Sequence, residues 1–138
     1  MKEKIAISAC LLGANTKYTG GNNYREQLKE LLKDKTIIPI CPEVFGCLAT
    51  PRDPAEEKGD KVFTDKGKDV TNAFYLGAKR TLEFLIRCDC HTVILKEGSP
   101  SCGVNYSYDG TFTHTKLDKM GIATRLLKEN GFTIIVLN

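Results

Sequence analysis

Short apolar segments alternate along the chain with longer amphipathic ones, which is the pattern of β-strands that alternate with helices. The strand candidates are runs of β-branched and aliphatic residues at 5–9, 36–40, 92–95 and 132–137. Strands separated by helices pair in parallel through right-handed crossovers. The pattern therefore predicts a mostly parallel sheet with helices packed on its faces.

Three amphipathic segments predict the helices. The clearest follows Asp69, which can cap it, and its apolar residues recur at i, i+4 spacing. Its inner face consists of Val70, Phe74, Ala78, Leu82 and Leu85. A first helix is expected to be capped by Asn22 or Asn23 and to end near Lys35, and a last helix is expected to end near Asn130. The residues that define these two helices are Tyr24, Leu28, Leu31, Leu32, Leu117, Met120, Thr124 and Leu127.

The predicted fold is α/β: one three-layer Rossmann-like domain over residues 1–138, with about four or five strands and a site at their C-terminal ends. Residues 43–69 are rich in glycine, proline and charge, which favours a functional loop. A small hairpin is expected there between residues 62–64 and the residues after Gly67. Residues 106–113 alternate around an Asp-Gly pair, which predicts a tight hairpin close to Cys102.

Composition narrows the class of protein. The chain is 41% hydrophobic and 27% charged, as in an ordinary globular domain with its own core. Its net charge of +3 comes from lysines interspersed with acids rather than from a basic face, so we do not expect a nucleic-acid partner. Signal-peptide and membrane-spanning patterns are lacking, and the expected location is cytoplasmic. In that compartment the six cysteines indicate metal binding or catalysis rather than disulfides.

Three of the cysteines occupy equivalent places in the predicted sheet. Cys10, Cys41 and Cys102 each follow a predicted strand, and loops that leave the carboxyl ends of parallel strands gather in one crevice. Thiolates bind iron–sulfur clusters, zinc or copper(I), and the spacing does not distinguish these metals. Structural cysteines are the alternative, because buried cysteine is common.

The remaining cysteines and both histidines favour structural roles. Cys88 and Cys90 precede the third strand, at the opposite end of the sheet, and we exclude them as ligands. His91 and His114 lack partners at metal-ligand spacing, although His114 is a weak candidate for the pocket.

Several motifs in a fixed order resemble the thiouracil desulfurase family over residues from about 5 to 135. They are SACLLG at 8–13, CPEVFG at 41–46, TPRDPAE at 50–56, DVT at 69–71, LK at 95–96, SPSCG at 99–103 and YDGTF at 108–112. In this family three cysteines bind a 4Fe–4S cluster whose fourth iron has no protein ligand. The enzyme removes sulfur from thiolated uracil without net redox chemistry.

The resemblance implies roles for five residues. Cys10, Cys41 and Cys102 would bind the cluster, and the open iron would act as a Lewis acid on the thiocarbonyl sulfur of a small thiolated nucleobase. Glu43, two residues beyond a ligand, would be the acid or base, and Ser101 would donate or relay a proton. Both residues also have a structural interpretation, since Glu43 could cap a short helix after proline and Ser101 could satisfy a turn.

Cys47 departs from the family pattern, which generally has glycine at this position. As a fourth ligand it would close the open iron, and the protein would then be an electron-transfer or structural protein. We expect it instead to be a small buried side chain.

Two further features have open roles. Arg52 could bind an anionic group or brace its loop through Asp53 or Glu56. The aromatic residues of the 106–113 hairpin could pack across strands or form a lid that stacks on a pyrimidine. The rival function for the whole chain is a non-enzymatic metal or cluster protein, such as a redox sensor or sulfur carrier.

Overall fold

The structure is a computed structural model that describes residues 2–137. The strands are β1 (Glu3–Ser8), β2 (Lys35–Ile40), β3 (Ala55–Lys58), β4 (Lys61–Thr64), β5 (Thr92–Lys96), β6 (Ser107–Tyr108), β7 (Lys116–Leu117) and β8 (Thr133–Leu137). The helices are α1 (Leu28–Leu31), α2 (Pro42–Phe45), α3 (Thr71–Arg87) and α4 (Ile122–Glu129), with a 3₁₀ turn at Ala9–Leu12. Within the described range, none of these helices is long and apolar enough to cross a membrane.

The central sheet has the order β2-β1-β5-β8, and all of its pairs are parallel. This confirms the predicted α/β fold with a mostly parallel sheet. Pro39 pairs with Ile7 and lies in β2, which is an edge strand of the sheet. Proline, which has no N–H to donate, is tolerated there because an edge strand has a neighbour on one side only. All four strands end at one edge of the sheet, so the loops that follow them meet there.

Successive residues of β1 point to opposite faces of the sheet, and each face is covered. Ala6 packs with residues of α3 and α4 such as Leu85 and Leu127. Ile5 and Ile7 pack on the other face; their neighbours are Leu11, Leu28, Leu32 and Ile94. Burying both faces of a parallel sheet is what makes its strands read as continuous apolar runs. The expected three layers are therefore present.

Helix α3 confirms the clearest helical prediction. Its inner residues Phe74, Ala78 and Leu85 are buried, as the i, i+4 spacing requires. Asp69 accepts the backbone N–H of Thr71 at 2.9 Å, which satisfies one of the free donors at the start of the helix. A hydrogen bond from the side chain of Thr71, followed by this one from its backbone, lowers the pKa of Asp69.

Helices α2 and α3 approach each other unusually closely because each contributes a glycine. A Cβ on Gly46 would overlap the backbone carbonyl of Ala73, and one on Gly77 would overlap that of Pro42. The two helices therefore touch through their backbones. This contact fixes α2, and with it the segment that begins at Cys41, against the longest helix of the protein.

The first predicted helix is wrong in length. Only Leu28–Leu31 is helical, because the preceding segment is bound to the 3₁₀ turn after β1. The backbone N–H groups of Asn23 and Arg25 donate to the carbonyls of Cys10 and Leu11 at 2.8 and 3.2 Å. Those donors are consequently not available for a helix that begins at residue 22.

The first predicted hairpin is present in part, because β4 contacts the residues after Gly67 but also pairs with β3, which precedes it. The contact with the later residues consists of a bridge between Phe63 and Asp69, flanked by two backbone hydrogen bonds of 2.9 Å. Strand β6 pairs with β7, so the Asp-Gly pair lies in a longer loop rather than in a two-residue turn. Residue Leu117 belongs to β7 and is exposed, and the last helix begins only at Ile122.

Candidate active site

One cavity of about 760 Å³ opens at the carboxyl ends of the sheet strands. Cys10 in the 3₁₀ turn after β1, Cys41 at the end of β2 and Cys102 in the loop after β5 all line it. The structure thus brings together three thiols that are far apart in the sequence. The cavity volume lies in the range usual for small-molecule sites.

Burial and mutual charge disfavour the ionised thiols in the absence of a bound cation. Burial raises the pKa of Cys41, although a hydrogen bond from the backbone N–H of Val44 partly opposes this. Burial raises the pKa of Cys102 well above its ordinary value, and the charges of Cys41, Glu43 and Cys10 raise it further. The charges of Cys41 and Cys10 thus act on Cys102, and that of Cys10 acts on Cys41, as expected for donors that share one cofactor. Metal binding would displace the protons of Cys41 and Cys102.

The three thiols are a donor set that fits an iron–sulfur cluster. Such a cluster receives its thiolates on separate irons, so the sulfurs that hold it can come from three different loops. Cys10, Cys41 and Cys102 meet this requirement, since each lies on a different segment and all three line one cavity.

Cys10 is held by the turn that carries it. Its carbonyl accepts the backbone N–H of Gly13 at 3.3 Å and that of Asn23 at 2.8 Å. Gly13 has a φ of 94°, which suits glycine at the end of this turn. The side-chain amide of Asn23 lies 3.4 Å from the sulfur of Cys10. Both the backbone and the thiol of Cys10 are therefore fixed by the segment that follows it.

Cys41 immediately precedes α2. Its carbonyl accepts the N–H of Phe45 at 2.9 Å, and Pro42 occupies the first helical position, where a missing N–H is tolerated. Glu43 follows in the first turn of the helix and also lines the cavity. Helix α2, which begins directly after β2, thus places the thiol of Cys41 and the carboxylate of Glu43 on the same cavity.

The loop that carries Cys102 is organised by two side chains. Ser99 accepts the backbone N–H groups of Ser101 and Cys102 at 3.0 and 3.2 Å. Glu97 is buried and accepts backbone N–H groups on both sides of the loop, from Gly98, Val104, Asn105 and Tyr106. Burial alone would raise the pKa of Glu97, but these N–H groups together lower it.

Glu97 was missed by sequence reasoning. The signal that could have identified it is a charged residue at the end of a buried strand, directly before a glycine with a φ of 85°. Lys96, its neighbour, lines the cavity and donates to the backbone carbonyl of Glu97 at 3.1 Å. Burial, followed by the nearby charge of Arg25, lowers the pKa of Lys96.

Glu43 and Arg52 form an ion pair inside the cavity, with 2.6 Å between Oε2 and Nη2. Arg52 also donates to the carbonyl of Ala49 at 3.2 Å and to the hydroxyl of Thr50 at 3.0 Å. The expectation that Arg52 braces its loop through Asp53 or Glu56 is therefore corrected, because its carboxylate partner is Glu43.

The two expected partners of Arg52 are engaged elsewhere. Asp53 pairs with Lys66 at 3.1 Å. Glu56 accepts the backbone N–H groups of Gly110 and Phe112 at 3.0 and 3.2 Å, so it ties the β3–β4 hairpin to the β6–β7 loop.

Ser101 lies behind Cys102 rather than on the cavity wall. It is 1% exposed, and its hydroxyl makes no well-formed hydrogen bond among the described residues. An interaction with this hydroxyl is nevertheless among the influences that lower the pKa of Cys102. Ser101 does not appear among the described residues that line the cavity. A proton relay through Ser101 would therefore require either that its side chain moves toward the cavity or that the proton passes through Cys102.

Cys47 is exposed, so the expectation of a small buried side chain is wrong. Its φ of 71° turns the side chain outward at the end of α2, where its sulfur lies 3.2 Å from Nη1 of Arg80 on α3. Among the described residues, the cavity lining does not include Cys47. A left-handed backbone at this position is the conformation that glycine adopts most readily.

The other cysteines lie at the opposite end of the sheet. The thiol of Cys90 is buried and lies 3.7 Å from the carbonyl of Lys4, near the start of β1. His91 is exposed and pairs with Asp89 at 3.0 Å. His114, in contrast, lines the cavity.

The β6–β7 hairpin and its loop supply an aromatic wall of the cavity. Its members are Tyr106, Tyr108, Phe112 and His114. Tyr108 meets Tyr106 and His114 edge to face, with ring centroids 6.0 and 6.4 Å apart, and Lys116 covers the ring of Tyr106 at 4.4 Å. Tyr106 and Tyr108 thus pack along one side of the hairpin, and the contacts across it come from His114 and Lys116. The role of a lid stays a prediction.

The fold and the site together define an α/β protein with a cysteine-lined cavity at the carboxyl ends of a parallel sheet. A family model described as 2-thiouracil desulfurase matches residues 5–138, and the chain belongs to this family. It is accordingly a desulfurase enzyme.

Two relatives extend the comparison over nearly the whole chain. The uncharacterized protein YbbK of Bacillus subtilis (strain 168) is 37% identical over 141 residues, covering 95% of this chain and 93% of that protein. The solved structure of a [4Fe-4S]-dependent thiouracil desulfidase, TudS, is 39% identical and superposes with a TM-score of 0.91, covering 98% of this chain and 91% of the other.

Proposed function

We propose that this protein is a [4Fe–4S]-dependent desulfidase that converts the thiocarbonyl of a thiolated pyrimidine, such as 2-thiouracil, to the oxo group and releases sulfide. The family and the similarity to TudS support this function. The observation that carries it is the convergence of three cysteine thiols and a paired glutamate on one cavity. Water supplies the oxygen and both hydrogens of the hydrogen sulfide released, so the reaction needs neither oxidant nor reductant.

The proposed cluster ligands are Cys10, Cys41 and Cys102. When bound through three thiolates, the cluster would offer one iron without a protein ligand, a Lewis-acidic position for a thiocarbonyl sulfur. The chain contributes three separate loops whose backbones are each fixed by hydrogen bonds. Cys47 is not needed for this ligand set, since its side chain lies against Arg80 outside the cavity.

Glu43 is the proposed general base. Arg52 binds one of its two carboxylate oxygens, Oε2, and so orients the carboxylate on the cavity wall. Such a carboxylate can accept a proton from water as it attacks the thiocarbonyl carbon, and can later return the proton to the departing sulfur. Arg52 acts on this step through Glu43 and is therefore a positioning residue.

Ser101 is proposed as a proton donor or relay of secondary importance. Its hydroxyl is buried beside Cys102 and is among the influences that oppose the rise in the pKa of that thiol. A proton donor next to a proposed ligand is suited to such a role. The cavity also holds space well beyond a single pyrimidine ring, which is consistent with a small nucleobase that enters together with water.

The function is tested by an anaerobic sulfide-release assay with 2-thiouracil. We expect protein reconstituted with iron and sulfide to release one sulfide for each uracil formed, with no reductant added. Zinc-loaded protein and metal-free protein serve as matched controls and should be inactive. Cluster-loaded protein that releases no sulfide from thiolated pyrimidines would instead support a non-enzymatic cluster protein.

A further inference from the structure

The side-chain amide of Asn23 lies between a cavity lysine and a proposed cluster ligand. Its Nδ2 is 3.4 Å from the sulfur of Cys10, and its Oδ1 is 3.3 Å from the ammonium of Lys17. The backbone N–H of Asn23 also donates to the carbonyl of Cys10 at 2.8 Å. Asn23 therefore contacts both the backbone and the thiol of a single cysteine.

The lysine determines which end of the amide faces the sulfur. An ammonium group can only donate hydrogen bonds, so the atom that faces Lys17 must be the amide oxygen. The amide NH₂ is then directed to Cys10, whose sulfur accepts a hydrogen bond weakly as a thiol and more strongly as a ligand thiolate. Orientation of an amide by its surrounding network is the standard basis for its assignment.

We propose that Asn23 is a positioning residue for Cys10: its N–H donates to the thiolate, and Lys17 keeps the amide in the donating orientation. This inference rests on the proposed function, because it takes Cys10 to be a cluster ligand. A hydrogen bond to a ligand sulfur withdraws electron density and raises the reduction potential of a cluster. Asn23 thus tunes the cofactor through its ligand Cys10.

The test compares reduction potentials of the full-length protein after anaerobic reconstitution. Asn23→Leu removes the donor without changing charge, and Asn23→Asp keeps the size but leaves only acceptors. We expect both variants to shift the potential to more negative values, with the larger shift in Asn23→Asp. The matched control is Asn22→Leu, because the neighbouring amide binds Asn15 and the backbone of Tyr24 instead of a cysteine. Its potential should equal that of the wild type.

Lys17 is tested by a double-mutant cycle. Removing its charge also lowers the potential directly, so Lys17→Met is measured alone and together with Asn23→Leu. If Lys17 acts through the amide, the shift of the double variant is smaller than the sum of the single shifts. Additive shifts would overturn this part of the proposal.

The outcomes separate this inference from the function on which it rests. Cluster-loaded Asn23 variants with the wild-type potential would overturn the role of Asn23 while leaving the ligand set intact. Full cluster content in Cys10→Ala would instead overturn the ligand assignment. If Asn23→Leu does not fold or load, the smaller and uncharged Asn23→Ala variant decides the question, and a wild-type potential there counts against the proposal.

Discussion

Arg52 holds Glu43 by a 2.6 Å ion pair in which the two side chains retain only 9% and 19% of their exposure. Exposed ion pairs contribute little to stability, but a pair shielded from water can fix the direction of a carboxylate. Since Glu43 is also beside Cys41, the pair connects the 46–52 loop to the proposed cluster site.

The pair predicts distinct effects on turnover and on substrate binding. We expect Glu43→Gln to lower kcat by about 10²- to 10⁴-fold, the usual contribution of a general acid or base. Arg52→Met should lower kcat with little change in KM, and Arg52→Lys should restore part of the loss because it keeps the charge. Steady-state sulfide release at equal iron content measures both. A rise in KM at unchanged kcat in Arg52→Met would mean that Arg52 binds substrate instead.

Cys47 gives a prediction on stability. Its φ of 71° strains any residue other than glycine, by about 1–2 kcal/mol, whereas glycine loses about 0.5–1 kcal/mol through its more flexible unfolded chain. We therefore expect Cys47→Gly to raise the free energy of unfolding by up to about 1 kcal/mol, measured by urea denaturation. Activity and the cluster spectrum should not change. Iron loss in this variant, and equally in Cys47→Ala, would show that Cys47 is a ligand after all.

Glu97 predicts how the Cys102 loop responds to acid. Its pKa lies below the ordinary value of 4.5 because its backbone N–H partners outweigh burial. The native state therefore favours the carboxylate, and the resulting stability is complete above about pH 4.5 and lost as the pH falls through the lower native pKa. The protection factors of the 97–106 amides against hydrogen exchange should fall over that acid range.

Glu97→Gln should abolish this acid dependence. The variant replaces an acceptor with a donor against the N–H groups, so we expect it to destabilise the protein by about 1.5–3 kcal/mol at neutral pH. The exposed Glu83→Gln is the matched control and should change stability by less than about 0.5 kcal/mol. Unchanged protection of the 97–106 amides in Glu97→Gln would contradict the account of this loop.

The glycine contact between α2 and α3 predicts that Gly77→Ala lowers the stability of the protein, although alanine has the higher helix propensity. At an exposed helical site Gly→Ala stabilises by about 0.5–1 kcal/mol. At Gly77 the added Cβ meets the carbonyl of Pro42, and overpacking of this kind typically costs about 1–3 kcal/mol. We expect Gly77→Ala to be destabilising and to lower iron content, because α2 carries the segment after Cys41. A stabilised variant with full iron content would show that the helices can separate freely.

The site residues that could be predicted from the sequence are those that directly follow the ends of strands. Cys10, Cys41 and Cys102 could be grouped because buried strands are recognisable and parallel strands end at one edge. The partner of Arg52 could not be predicted, since it depends on the path of an irregular loop back to α2. The same holds for Asn23, which was expected to cap a helix but binds Cys10 instead.

Local patterns failed where tertiary hydrogen bonds overrode them. The first helix is short because its early N–H groups bind the 3₁₀ turn, and the Asp-Gly signal marks a longer loop because Glu56 binds Gly110 and Phe112. A single domain over residues 1–138 and a cytoplasmic location stay predictions, as do the roles of Glu43 and Ser101.

The central claim is that Cys10, Cys41 and Cys102 jointly hold the cluster that makes desulfuration possible. It is tested most directly by measuring iron, acid-labile sulfide and sulfide release from 2-thiouracil in the three single Cys→Ala variants. Cys88→Ala, at the opposite end of the sheet, is the matched control. We predict that each of the three variants loses an intact cluster and activity, whereas Cys88→Ala keeps both. A variant at Cys10, Cys41 or Cys102 that retains a full cluster and wild-type sulfide release would contradict the account.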